Sequence, residues 1–250
     1  MKFLLALPIL LCLIATIPGK KKSTNKNTIL VIFPHSDDET AIAHVLARYA
    51  PGNKIQIIYT VNPPNDSIIP IRQKEGICSC EKIGIEKPIF LPNDRLDGRD
   101  GPREYFKRIN ALKTDLKKLI EQINPNIIIT HGPEGESGHY EHRITGSIVT
   151  ELILREGWYD KYPIYYFAEP TIKTNVEQLS GTGEVDGKYL NVAIKYSLED
   201  ENKSIESYKC HQSQLELIKD HIHIKLADTV NIAYFRKLHI DLQKRNDFFK

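Results

Sequence analysis

From residue 28 onward, uninterrupted apolar runs alternate with stretches whose apolar residues recur every three or four positions. Thr28-Ile-Leu-Val-Ile-Phe33 has the pattern of a strand covered on both faces. Ile42, Val45, Leu46 and Tyr49 lie at helical spacing within 40–50, and Pro51-Gly52 ends that helix. The same criteria predict strands at 54–60, 88–91 and 126–130, and helices at 71–83, 104–123 and 141–155. The helix at 104–123 carries the stripe Ile109, Leu112, Leu116 and Ile120. Strands are also predicted at 162–167 and 189–194, and a helix at 198–218. Residues 169–187 have little periodicity, and the last thirty show no clear period. Strands separated by helices imply βαβ units, an α/β fold and a mostly parallel sheet with right-handed crossovers. Ligands gather at the carboxyl ends of the strands in such sheets.

The first 27 residues break this pattern. Met1-Lys2 precedes an uncharged apolar run, Phe3 to Ile17, followed by Pro18-Gly19-Lys20-Lys21-Lys22. That is the charged start and short apolar middle of a signal peptide. The basic flank, Lys20 to Lys22 with Lys26, equally suits an uncleaved anchor with that flank on the cytoplasmic side. Residues 1–19 are therefore expected to be a signal peptide or N-terminal membrane anchor, 20–27 a polar linker, and 28–250 one domain. Export to the periplasm or exterior is the expectation, with membrane association through an uncleaved leader as the alternative.

Composition adds mainly exclusions. The chain is 41% hydrophobic and 26% charged with a formal net charge of +2, an ordinary globular balance. Basic residues are interspersed with acids, so no nucleic-acid footprint is present. Beyond Cys12 in the leader there are three cysteines, Cys78, Cys80 and Cys210. Cys78 and Cys80 face apart on a helix, so they do not pair. One of them meeting Cys210 and buried free thiols both remain open.

Two polar clusters stand out. The first, His35-Ser36-Asp37-Asp38-Glu39, follows the first strand directly. His35 and Asp38, three residues apart, share one face of an incipient helix, and their donor types suit a transition metal such as zinc. The alternative is an acidic helix cap with Glu39 in the first turn. The second, His131-Gly-Pro-Glu-Gly-Glu-Ser-Gly-His139-Tyr-Glu-His142, follows the strand ending at Thr130. His139 and His142 can face one site, at the same rim of the sheet as the first cluster. Three protein ligands and an open position are the usual catalytic zinc arrangement.

Together the two motifs resemble the LmbE-like, or PIG-L type, zinc de-N-acetylases, which show His-Pro-Asp-Asp-Glu and later His-Pro-Asp-His. The resemblance extends over about residues 28–215 and includes Arg72-Gln-Lys-Glu75 and His211-Gln-Ser-Gln214. It implies a Rossmann-like three-layer sandwich with a mostly parallel central sheet, and makes 28–250 a de-N-acetylase catalytic domain. It also implies a zinc ion held by His35, Asp38 and His142. Asp37 becomes the general base for the attacking water, and His139 stabilises the oxyanion and helps protonate the leaving amine. The implied substrate is an N-acetylated amino sugar, free or part of a glycoconjugate. Ser36 in place of proline, and Tyr140-Glu141 in place of Pro-Asp, depart from the family pattern without removing a ligand or the base.

Three further residues have paired expectations. Arg72 contacts a phosphate or sugar hydroxyl, or else forms a helix salt bridge with Glu75. Asp97 reaches the sugar, or is a solvated loop acid. His211 lines the rim, or is a helix-surface histidine. Two rival functions remain at this level: a metal phosphoesterase, which would want more bridging carboxylates, and a catalytically silent metal-dependent sugar-binding protein of the envelope.

Overall fold

The structure, a computed structural model, describes residues 27–170, 184–215, 231–244 and 247. The expected leader, the linker up to residue 26 and most of the 169–187 excursion lie outside the described residues, as do His221 and His223.

Strand β1, Thr28–Phe33, has five buried residues in succession because both its faces are covered. Ile29, Val31 and Phe33 enter one apolar cluster, and Leu30 and Ile32 enter another. These are the two cores of a three-layer sandwich. Strands β2 (Lys54–Tyr59), β3 (Ile89–Phe90), β4 (Ile127–His131) and β5 (Ile164–Phe167) join β1 in parallel, in the spatial order β3-β2-β1-β4-β5. Two further strands, β6 (Val192–Lys195) and β7 (Ile232–Lys237), extend that sheet as an antiparallel edge beyond β5. Order reverses between β1 and β4, which makes their carboxyl ends the topological switch point where such sheets bind ligands.

Helices α1 (Ala43–Tyr49), α2 (Ile69–Ile83) and α5 (Leu198–Tyr208) pack together. Helices α3 (Pro102–Ile123) and α4 (Tyr140–Arg155) pack against each other. The α3 stripe is the predicted one, with Ile109, Leu112, Leu116 and Ile120 all buried. Truncating such a side chain, as in Leu112→Ala, costs about 2–5 kcal/mol in a core of this kind. Gly84 (φ +88°) and Asn124 (φ +47°) end α2 and α3 in the left-handed conformation. Gly146 lets α4 lie on the end of β4, since a Cβ there would stand 2.0 Å from the His131 carbonyl oxygen.

The structure departs from the predicted pattern in three places. The helix expected over 198–218 stops at Tyr208, and a 3-10 turn follows at Gln212–Gln214. A disulfide from Cys210 to Cys78 on α2 and the inward turn of His211 break it there. Strand β7 was not legible, because its apolar run, Ile232–Phe235, is too short for its period to distinguish strand from helix. Asp38–Ile42 opens the first helical segment as a 3-10 turn rather than as α-helix. Among the described residues no helix is long and apolar enough to cross a membrane.

Candidate metal centre

The chain leaves β1 through Pro34 and turns back on itself. The Asp38 N–H donates to the His35 carbonyl at 3.3 Å, and the Thr40 N–H to the Asp37 carbonyl at 3.0 Å. Asp38 Oδ2 accepts the His35 backbone N–H at 2.8 Å and lies 3.6 Å from His35 Nδ1. Its other oxygen, Oδ1, is 3.1 Å from His142 Nε2 on α4. The two predicted clusters thus meet at one carboxylate, brought together by the adjacency of β1 and β4.

The far sides of the two imidazoles are occupied. His35 Nε2 is 2.8 Å from Glu141 Oε2, and His142 Nδ1 is 3.0 Å from the Gly135 carbonyl oxygen. Each of those oxygens only accepts, so each fixes an N–H on the ring nitrogen it faces. That leaves His35 Nδ1 and His142 Nε2, the nitrogens facing Asp38, as the ones available for a cation. This back-side anchoring by carboxylate and carbonyl is the usual support of metal-binding histidines. The donor set of two imidazoles and a carboxylate suits zinc. Candidate ligand atoms of His35, His139 and His142, of Asp38, His131 and His142, and of His35, Asp37 and Asp38 lie within 4.8 Å of one another in each group.

Electrostatics sort the residues by role. Burial opposes charge on His35, but Asp38, Glu141 and Asp37 outweigh it and push the imidazole up to about 10. Proton and divalent cation compete for such nitrogens, so the carboxylates that draw one draw the other. Burial also presses on both aspartates. His142 and His35 nevertheless hold Asp38 well below the usual carboxylate range, whereas burial and the Asp38 charge raise Asp37 despite Arg72. Adjacent carboxylates pushed apart in this way mark one as a permanent anion and the other as a proton acceptor.

His139 is the N-cap of α4 and exposed; its Nδ1 accepts the Glu141 backbone N–H at 3.2 Å. Burial and the neighbouring His35 and His142 hold its pKa below the usual imidazole range. It therefore presents a neutral ring with Nε2–H outward.

Arg72 does not pair with Glu75. Its Nη2 donates to Asp37 Oδ1 and to the Ser36 carbonyl, both at 2.9 Å, while Ser36 Oγ donates to the Arg72 carbonyl at 2.8 Å. Glu75 instead accepts from the N–H and Oγ of Ser213, at 2.7 and 2.6 Å. His211 is not at the rim or on a helix surface: it is wholly buried with Nε2 2.7 Å from Glu39 Oε1. Glu39 also accepts from Tyr59 Oη at 2.6 Å and from Ser79 Oγ. Of the capping alternative the placement holds, with Asp37 at the N-cap and Asp38 and Glu39 in the first 3-10 turn, but Asp37 makes no side-chain cap hydrogen bond. Asp97 pairs with Arg99 at 2.6 Å on the loop before α3 and lines grooves there.

Two residues of the second cluster had no role assigned from the sequence. Glu141 bridges His35 and the Leu96 N–H, the latter at 2.9 Å. His131, the last residue of β4, stacks on His142 with ring centroids 4.0 Å apart and is kept neutral chiefly by burial. The His139-Tyr140-Glu141-His142 spacing contains the signal for Glu141. Nothing in the sequence marks the stacking of His131.

Residues 30–153 match the PIG-L family, described as GlcNAc-PI de-N-acetylase. The chain is 27% identical over 144 residues to a probable N-acetyl-alpha-D-glucosaminyl L-malate deacetylase 2 of Bacillus anthracis, covering 52% of this chain and 60% of that protein. A protein of the same description from Bacillus cereus is 24% identical over 214 residues, covering 80% of this chain and 89% of its own length. Among solved structures, a deacetylase of the teicoplanin biosynthesis pathway superposes with a TM-score of 0.64 at 16% identity, over 84% of this chain and 96% of that one. Both histidine motifs fall within the matched residues, and the chain belongs to the PIG-L family of LmbE-like proteins.

Proposed function

We propose that the protein is a zinc-dependent hydrolase that removes the N-acetyl group from an N-acetylated amino sugar of the N-acetylglucosamine type, free or conjugated, giving acetate and a free amine. One observation carries the reading. Two imidazole nitrogens face one carboxylate, and the back of each ring is held by an acceptor. The relatives' substrates, N-acetylglucosaminyl conjugates by name, support the sugar class.

His35, Asp38 and His142 would hold the ion. A zinc ion there supplies positive charge that polarises the acetyl carbonyl and brings the pKa of water towards about 7. Asp37 takes the proton from the attacking water, and its raised proton affinity suits that task. The Arg72 guanidinium fixes Asp37 from one side, so the free carboxylate oxygen is the one offered to water. His139, through Nε2–H, donates a hydrogen bond to the developing oxyanion and then lies within reach of the leaving nitrogen. The proton held by Asp37 passes to that nitrogen as the C–N bond breaks, so water is divided between acetate and amine.

Export through the N-terminal segment belongs to the same reading. It is supported by the Cys78–Cys210 disulfide, since such bonds persist in oxidising compartments. The test is acetate release from N-acetylglucosamine and its simple conjugates by the wild type and Asp37→Asn. Loss of the base should lower kcat by about 10²–10⁴. Equal turnover by the two proteins would sink the assigned base.

A further inference from the structure

An apolar groove of about 450 Å³ opens beside the metal centre, lined by Leu96, Asp97, Tyr105, Phe106, Tyr140 and Ile144 among others. Two of its three aromatic members are uncovered, Phe106 at 61% and Tyr140 at 39% exposure, while Tyr105 is half-buried against the core. Phe106 lies off the α3 stripe that builds the core, so packing does not explain it. Tyr105 and Phe106 meet edge to face with ring centroids 5.6 Å apart, a preformed aromatic corner.

The groove is continuous with the site. The Tyr140 ring stacks on the His139 ring at 4.8 Å. Leu96 donates its N–H to the same Glu141 that holds His35. Asp97 belongs both to this groove and to a neighbouring charged one of about 340 Å³ containing Arg95, Arg99 and Arg108. An occupant therefore meets polar groups at one end and aromatic rings at the other, one residue away from His139. A concavity of this volume suits part of a small molecule rather than a protein surface.

We infer that this groove seats an apolar aglycone, aromatic or short alkyl, carried by the amino-sugar substrate. The inference rests on the function proposed above and narrows it: the substrate is an amphiphilic glycoside rather than the free sugar. Tyr140 and Phe106 flank the aglycone, while the sugar extends past His139 to place its acetamide at the cluster of His35, Asp38 and His142.

The test compares N-acetylglucosamine with both anomers of its phenyl glycoside, in the wild type and in Phe106→Ser, which alters an exposed side chain. One phenyl anomer should show a kcat/KM at least tenfold above that of the free sugar, mostly through KM. Phe106→Ser should reduce that ratio at least fivefold. Calorimetric binding of the deacetylated phenyl glycoside against glucosamine, in the same two proteins, reads the groove without needing turnover. At least tenfold tighter binding of the phenyl compound by the wild type, lost in Phe106→Ser, supports the groove. If acetate is never released but this binding preference holds, the hydrolase reading fails and the groove stands. Equal binding of the two sugars, or a preference undiminished in Phe106→Ser, overturns the groove whatever the activity.

Discussion

His211 and Glu39 form an ion pair at 2.7 Å with both side chains 0% exposed, although 172 residues separate them. Burial penalises both charges, but each partner favours the other's, so His211 is raised and Glu39 lowered. The pair clamps the segment after α5 onto the loop that carries Asp37 and Asp38. Ser79 and Tyr59 complete the coordination of Glu39 from α2 and β2.

Removing one partner of a buried pair leaves the other charge uncompensated, which typically costs about 3–5 kcal/mol. His211→Ala should therefore be destabilised by roughly that amount in urea unfolding. A change under about 1 kcal/mol would mean that the pair is not ionised or that water replaces the ring.

Glu141 is predicted to act chiefly on affinity for the ion. Partners behind metal-binding histidines typically contribute 10–100-fold to metal affinity. Glu141→Ala should weaken zinc binding by about that factor in competition with a chelating dye. The Leu96 N–H loses its acceptor as well and is buried, so urea unfolding of the same variant separates a stability loss of about 1–3 kcal/mol from the loss of affinity. Unchanged zinc affinity would remove Glu141 from the site's design.

The thiols give a third expectation. Cys78 and Cys210 are bonded across a sequence separation of 132, and Cys80 is buried and free. Burial, helped by the nearby Glu39 charge, pushes the Cys80 thiol up, away from its reactive thiolate form. Alkylation of the native oxidised protein should label none of these three. After unfolding without reductant only Cys80 should react, and after reduction all three. Cys78→Ser should lower stability by about 2–5 kcal/mol. Labelling of Cys210 in the native, unreduced protein would contradict the bond.

Local pattern carried most of the central fold. The buried runs at 28–33 and 54–59 and the α3 stripe are elements whose periodicity and burial agree, so the parallel sheet and its rim were legible. His35, Asp37, Asp38, His139 and His142 were legible as one site because each lies at a strand end or a helix start. Long-range partners were not. Arg72 has Glu75 three residues away, the obvious local partner, yet its charge goes to Asp37 on another element and Glu75 goes to Ser213. His211 looked like a surface histidine because nothing local reveals that a disulfide at Cys210 ends the helix and turns the next residue inward. Strand β7, held between β5 and β6, was hidden because its apolar run is only four residues, Ile232–Phe235, too short to separate strand from helix by period.

The most direct test of the account is acetate release from an N-acetylglucosamine substrate by chelator-treated protein titrated with zinc. Turnover should vanish on chelation and return in proportion to added zinc, with the endpoint at one ion per chain. Asp38→Ala should stay inactive at the zinc concentration that restores the wild type. Turnover that persists through exhaustive chelation, or an endpoint at two ions per chain, would contradict a single zinc ion held by His35, Asp38 and His142.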